Sequence, residues 1–140
     1  MRIVLWSPAD PYLAELLERL DGVDARVVGS QAELATELPQ ADAIVMLGHF
    51  YTAPVAAMIH AQAPGLRWIQ LTTAGYDGIT FHGVPANVVV TNAGHSHAPM
   101  VAEHALTLLT ALMRRLHSFA TRQAVHAFDR AIPLIAEKLG

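Results

Sequence analysis

The hydrophobic pattern of this chain alternates between two periods. Short apolar runs at 3–6, 43–47, 68–71 and 88–91, with a mixed run at 25–28, have the length and continuity of strands covered on both faces. Between them, apolar residues recur at helical spacing. Leu13, Leu16, Leu17 and Leu20 sit at i, i+3, i+4 and i+7 behind Asp10-Pro11, an N-cap candidate followed by a first-turn proline; Gly22 stops that helix. Ser30-Gln31-Ala32-Glu33 reads as a capping box opening a short helix with Leu34, Ala35 and Leu38 inward, ended by Pro39. Thr52 caps a third helix with Pro54 at its second position, and Pro64-Gly65 ends it.

Strand and helix therefore alternate. That predicts an α/β fold: a flavodoxin-like five-stranded parallel sheet in the order 2-1-3-4-5, with helices on both faces and ligands outside the carboxyl ends of the strands. One element departs from the pattern. From Pro99 to about Val125 neither Gly nor Pro interrupts the chain, so a single helix of about 25 residues, about 38 Å long, is expected. Val101, Ala105, Leu108, Leu112 and Phe119 lie on one face; Ala102, Leu106, Leu109, Met113 and Leu116 lie on the adjacent one. A helix covering one side of a sheet needs an apolar stripe only about 100° wide. The broader arc here predicts a helix held between two domains or two subunits. The chain is thus read as one unit over 1–140, with a core over 1–98 and a long interdomain or dimerisation helix and tail over 99–140.

Composition points the same way. Hydrophobic residues make up 53% and charged residues 15%, against averages of about 45–50% and about 25%. So small a domain has little interior, and the excess calls for a partner or a further domain. Cysteine is absent, which removes disulfides, thiolate nucleophiles and Cys-ligated metals. The net charge of −3 is spread without blocks, so neither nucleic acid nor a polybasic membrane surface is expected as partner. The uncharged stretches 43–66 and 78–102 are broken by Gly, Pro, His and Asn, short of the roughly 20 consecutive apolar residues of a spanning helix. Met1-Arg2 leads directly into a strand, not a signal sequence. A soluble, cytoplasmic protein is expected.

Candidate chemistry gathers at the strand ends. Leu47-Gly48-His49 follows the third strand and Ala74-Gly75 the fourth. Backbone amides at such turns bind carboxylates by charge-assisted hydrogen bonds, although ordinary turn glycine is the plainer reading of either loop alone. Eight histidines include the pair His95 and His97, with Glu103 and His104 close by. A zinc site needs three or four ligands converging at about 2 Å on a rigid frame; these lie on a loop and two helix faces, and no metal is expected. Other chemistries lack their residues. Ser7-Pro8-Ala9-Asp10-Pro11 has two prolines and no Gly, unlike a flavin-phosphate loop. Leu47 stands where a phosphoacceptor Asp would end the third strand. No Gly-x-Gly-x-x-Gly follows any strand, and neither Ser96 nor Ser118 sits on a strand-turn-helix elbow.

The ordered set is more specific than its members. LRWIQLTTAGYDGI, then VVVTNAG, then VAEHALTLLTALMRR resembles the N-terminal, substrate-side domain of the D-isomer-specific 2-hydroxyacid dehydrogenases. The resemblance covers most of 1–115 and is strongest from Leu66 onward. It implies that the TTAGYDGI amides, at Ala74 and Gly75, hold a substrate carboxylate, with LGHF (Leu47, Gly48, His49) as the other substrate-facing loop. Asn92 becomes a substrate-cleft residue, and Glu103 is structural, facing the positive end of its helix dipole.

In that family a second domain carries the nucleotide and the catalytic Arg, Glu and His. These 140 residues contain no such domain, so the resemblance gives none of them a catalytic role. The expectation is an isolated or truncated substrate domain, inactive alone and binding no cofactor itself, with NAD or NADP serving the full-length parent. It would bind small 2-oxo or 2-hydroxy acids weakly and form a homodimer through the helix over 101–119, with or without helix exchange. The tail HAFDRAIPLIAEKLG reads either as the connector to the nucleotide domain or as a helix returning to this one. The alternative is a non-enzymatic, self-associating binding module.

Overall fold

The computed structural model describes residues 1–7 and 11–127. Asp10, expected as an N-cap, and the tail from 128 onward lie outside them. By internal contacts the chain divides into two compact units, Met1–Ser96 and His97–Gly140; each is described by itself.

The first unit is a five-stranded parallel sheet in the order β2-β1-β3-β4-β5. Its strands are β1 (Arg2–Trp6), β2 (Asp24–Val27), β3 (Ala43–Met46), β4 (Trp68–Leu71) and β5 (Val89–Thr91). The expected order holds, and each strand lies within two residues of its apolar run. The central strand β3 is buried throughout, which is why its sequence does not alternate. One face carries the larger core: Val4, Ile44, Met46, Ile69 and Leu71 pack with Leu34, Leu38, Val55 and Ile59 from the helices α2 (Gln31–Glu37) and α3 (Ala53–Gln62) and the turn between α2 and β3. On the other face Ile3, Leu5, Ala43 and Val45 meet Leu13, Ala14 and Leu17 of α1 (Pro11–Glu18).

Leu16 and Leu20, counted as part of the α1 stripe, are exposed; Leu20 lies beyond the helix, which ends at Glu18 before the chain turns through Gly22 at φ +76°. The Ser30 capping box forms. The Ser30 hydroxyl accepts from the Glu33 amide at 3.2 Å, while the Glu33 carboxylate accepts from the Gly29 amide at 2.8 Å. Thr52 stands at the N-cap of α3 without a side-chain capping bond. Between β4 and β5, where the apolar periodicity marks no helix, the structure has α4 (Asp77–His82).

The second unit contains α5 (Ala98–Met113) and α6 (Leu116–Ala124). The single helix expected over 99–125 is therefore two. Arg115 adopts φ 53°, ψ 36°, a left-handed conformation that costs a non-glycine residue about 1–2 kcal/mol. The last turn of α5 tightens as the Arg115 amide reaches Leu112 O at 2.9 Å. Upstream, the Thr107 and Thr110 hydroxyls bond back to the carbonyls of Glu103 and Leu106, which loosens a helical ladder. Two successive arginines also suit the negative end of a helix dipole. None of this needs Gly or Pro, so uninterrupted helix periodicity concealed the break. Among the described residues no helix is long and apolar enough to cross a membrane.

The amino edge of the sheet is tied by charge. The Asp42 carboxylate accepts from the Arg2 amide at 2.7 Å and from Arg67 at 3.3 Å, and Arg2 pairs with Asp24 at 2.9 Å. The Arg2 amide bond, helped by the Arg67 charge, holds the Asp42 carboxyl below its ordinary value against a partial desolvation. A depressed folded value gives stability that is complete above the ordinary carboxylate range and is lost as pH falls through the folded value. Asp42→Asn is expected to lower the urea midpoint at pH 7, with the gap to wild type closing in acid. A gap that stays constant from pH 7 to pH 3 would refute the assignment.

Candidate functional site

The site grows from the pairing of β3 with β4. Their register sets Met46 beside Leu71, so the loops that follow leave the sheet side by side. After β3 the chain makes a tight turn over Gly48–Phe50, entered from Leu47, with Phe50 N–H bonded to Leu47 O at 3.0 Å. After β4 it runs through Thr72 and Thr73 to Ala74-Gly75 and into α4. One side chain couples the two loops: the Thr73 hydroxyl accepts from the Gly48 amide at 3.0 Å and donates to Gly75 O at 3.1 Å. Donating one bond and accepting another, that oxygen is a structural clasp.

The approach is close enough to dictate glycine. A Cβ at Gly48 would fall on the Thr73 hydroxyl and on the Gly75 carbonyl, and one at Gly78 would fall on the Tyr51 carbonyl. Tyr51 completes the frame. Its ring is buried and its hydroxyl donates to Gly83 O at 2.6 Å, pinning the far end of α4 to the β3 loop. Burial pushes the phenol up to about 12, so it stays protonated and donating at neutral pH.

Asn92 fastens the turn from the other side. Its side-chain amide donates to Ala74 O at 2.7 Å, while its own carbonyl oxygen accepts from the Gly94 amide at 3.1 Å. The carbonyls of Ala74 and Gly75 are thus both engaged. Among the described residues no acceptor takes the amide of Ala74 or Gly75. A Cβ at Gly75 would meet nothing within 4 Å. The backbone is held from behind and bare in front, the arrangement that lets amides serve an anion.

Gly48, His49 and Gly75 line one open cleft of about 380 Å³, together with Tyr51, Thr73, Asp77 and Gly78. Asn92 faces a neighbouring cavity of about 250 Å³ with Tyr76, Ile79, Val90 and Thr91. Leu47, half-buried, starts the β3 turn and lines neither. Thr73, Tyr51 and Gly78 escaped the sequence reading. The pair Thr72-Thr73 two residues before Gly75 is a recognisable turn signature, but a contact between Tyr51 and Gly78 has no local signal. Glu103 lies in the second turn of α5, exposed. Among the described residues no group of three or more His, Asp or Glu could hold a metal.

Gly48→Ala and Gly78→Ala should each be destabilised by about 1–3 kcal/mol, the usual cost of overpacking. Chemical denaturation measures it. Two variants as stable as wild type would show that the loops have room to part.

The comparisons follow from this architecture. The family model described as D-isomer specific 2-hydroxyacid dehydrogenase, catalytic domain, matches residues 3–132. No curated protein matches the chain. Among solved structures, a D-isomer specific 2-hydroxyacid dehydrogenase family protein from Aeromonas salmonicida subsp. salmonicida superposes with TM-score 0.76 at 21% identity, over 91% of this chain and 40% of that one. D-lactate dehydrogenase from Treponema pallidum gives 0.71 at 20% identity, over 99% and 44%. D-lactate dehydrogenase from Aquifex aeolicus, complexed with NAD and lactic acid, gives 0.69 at 18%, over 99% and 41%. At these identities the likeness is one of fold, and this chain spans about two fifths of each of these solved chains. The match to the family model over nearly the whole chain makes it a member of the D-isomer specific 2-hydroxyacid dehydrogenase family, through that family's catalytic domain.

Proposed function

We propose that these residues are the substrate-holding part of an enzyme that interconverts a D-2-hydroxy acid and a 2-oxo acid by hydride exchange with a nicotinamide cofactor. The observation that carries the reading is the Ala74–Gly75 turn. Its carbonyls are tied back by Thr73 and Asn92, its amides are unpaired among the described residues, and its glycine is required by no neighbour. A residue that packing does not demand, at a bare turn beside a cleft, fits a ligand's approach to the backbone. Those amides would receive the acid's carboxylate, with Gly48 and His49 lining the same cleft as Gly75.

The cofactor does not fit these 140 residues. They hold no Gly-x-Gly-x-x-Gly, the loop that cradles a dinucleotide's pyrophosphate, and among the described residues no Arg lines the cleft. The solved Aquifex enzyme holds NAD and lactic acid together, on a chain more than twice as long. The part played here is therefore binding and orientation. One anion contact without a closed cleft gives affinity near the millimolar end, roughly −4 kcal/mol. Pyruvate added to the isotopically labelled polypeptide should move the Ala74 and Gly75 amide resonances, with no change at the nicotinamide absorbance band when cofactor is added. Gly75→Ala is the sharper probe. It should fold as well as wild type, with at most about 1 kcal/mol of added stability from a less flexible unfolded chain, yet lose the titration. A Gly75→Ala protein that still binds would defeat the carboxylate reading.

Self-association belongs to the same proposal. On α5, Val101, Leu106, Leu108, Leu109 and Leu112 are all more than two fifths exposed, and each contributes on the order of 1.5–3 kcal/mol when buried. Contiguous apolar surface of this kind finds a partner, and the simplest closed arrangement is a two-fold homodimer. The break at Arg115 restricts the contact to α5 in place of the whole 101–119 stretch. Light scattering at micromolar concentration should give twice the monomer mass, and Leu109→Glu should lower it. A monomeric mass in both proteins would exclude this dimer.

A further inference from the structure

Ala74 and Gly75 carry no polar side-chain atom, so nothing in their own side chains decides which way the amides of the turn face. A trans peptide is planar, with its N–H opposite its C=O, so whatever holds a carbonyl also directs the amide that follows it. Both carbonyls concerned are held by the segment that leaves β5. The Ala93 amide donates to Thr73 O at 3.1 Å, which directs the Ala74 N–H. The Asn92 side-chain amide donates to Ala74 O at 2.7 Å, which directs the Gly75 N–H. Asn92 is itself braced. Its Oδ1 accepts from the Gly94 amide at 3.1 Å, with Gly94 at φ +54°, a conformation that favours glycine.

We propose that Asn92 is a positioning residue: it acts on the acid's carboxylate through the Ala74–Gly75 peptide, and it keeps its bond to Ala74 O when the acid is bound. This rests on the reading of Ala74–Gly75 as the carboxylate site. Two observations carry it. The first is conformational. Gly75 lies outside the left-handed region, yet a flip of the peptide before it would take it there, as when a type I turn becomes type II, and glycine tolerates both states. The turn is exposed, so packing does not choose between them. A flipped peptide would present Ala74 O in place of the Gly75 N–H, and a carbonyl oxygen repels a carboxylate. The Asn92 bond selects the state with the amide available. The second is place. Asn92 lines the cavity of about 250 Å³ with Tyr76 and Ile79, whereas Gly75 lines the larger cleft. An Asn92 that left Ala74 O for the acid would release the peptide on which the acid depends.

The test uses the isotopically labelled full chain, wild type and Asn92→Ala, titrated with pyruvate. In the wild type the Gly75 amide should shift, while the hydrogen-bond coupling between Asn92 Nδ2 and the Ala74 carbonyl carbon should persist unchanged at saturation. In ligand-free Asn92→Ala the residual dipolar coupling of the Gly75 N–H should change while those of β4 do not, and pyruvate should bind roughly three- to tenfold more weakly, the size of one net hydrogen bond. A merely structural Asn92 would lower the urea midpoint and leave both the Gly75 coupling and the affinity alone. Loss of the wild-type hydrogen-bond coupling at saturation would overturn the proposal. So would an Asn92→Ala protein with the wild-type Gly75 coupling and pyruvate affinity. Either result, with Gly75 still shifting in the wild type, leaves the carboxylate site standing. If Asn92→Ala does not fold, the wild-type coupling decides alone. A wild-type Gly75 amide that pyruvate does not shift would remove both readings.

Discussion

Everything at the site depends on how closely two loops approach. Parallel strands paired in register deliver their following loops to the same place, and β3 and β4 do so with Met46 beside Leu71. Two backbones can converge there only if one lacks a side chain, and Gly48 supplies that. The Thr73 hydroxyl then fills the gap with two hydrogen bonds. Each such bond is worth only about 0.5–1.5 kcal/mol net, but its geometric effect is larger than its energy. It engages the Gly75 carbonyl, Asn92 does the same for Ala74, and among the described residues the amides of the turn are left without an acceptor. The unpaired turn amides are what remains, among the described residues, after the structural bonds have been made.

The three glycines around the cleft therefore have different reasons to be there. Gly48 and Gly78 answer to packing, since a Cβ on either would overlap a neighbouring oxygen. For Gly75, a Cβ would meet none of the described residues within 4 Å. In sequence they look alike: each is a small residue after a strand, and turn glycine was the plainer reading of either loop. Coordinates separate them because the discriminating fact, what a Cβ would touch, is a long-range contact.

The same limit explains what the sequence made legible. Strand order and helix placement follow from local periodicity, short connections and the parallel-sheet rules, so the sheet was readable from its apolar runs. The helix α4 was not. Six residues with Phe81 exposed and Ile79 half-buried give no stripe to detect, although Asp77 and Gly83 bracket it with ordinary start and stop residues. The break at Arg115 was invisible for the opposite reason: the stripe continued while the backbone did not. The candidate residues on turns follow from the family resemblance. Thr73 and Tyr51, which hold those turns, needed the fold.

The two ends of the sheet have separate duties. At the amino edge Arg2, Asp24, Asp42 and Arg67 neutralise one another in short contacts, and Asp42 is held ionised by them. At the carboxyl edge, among the described residues, the amides of Ala74 and Gly75 and the Asp77 carboxylate have no polar partner, and the His49 ring touches only Phe50. A sheet whose strands all point one way makes this division possible, because every loop that follows a strand emerges at one edge. Stability can then be altered at the amino edge without touching the cleft. At the carboxyl edge these polar groups are tolerated without protein partners because they are exposed and water satisfies them.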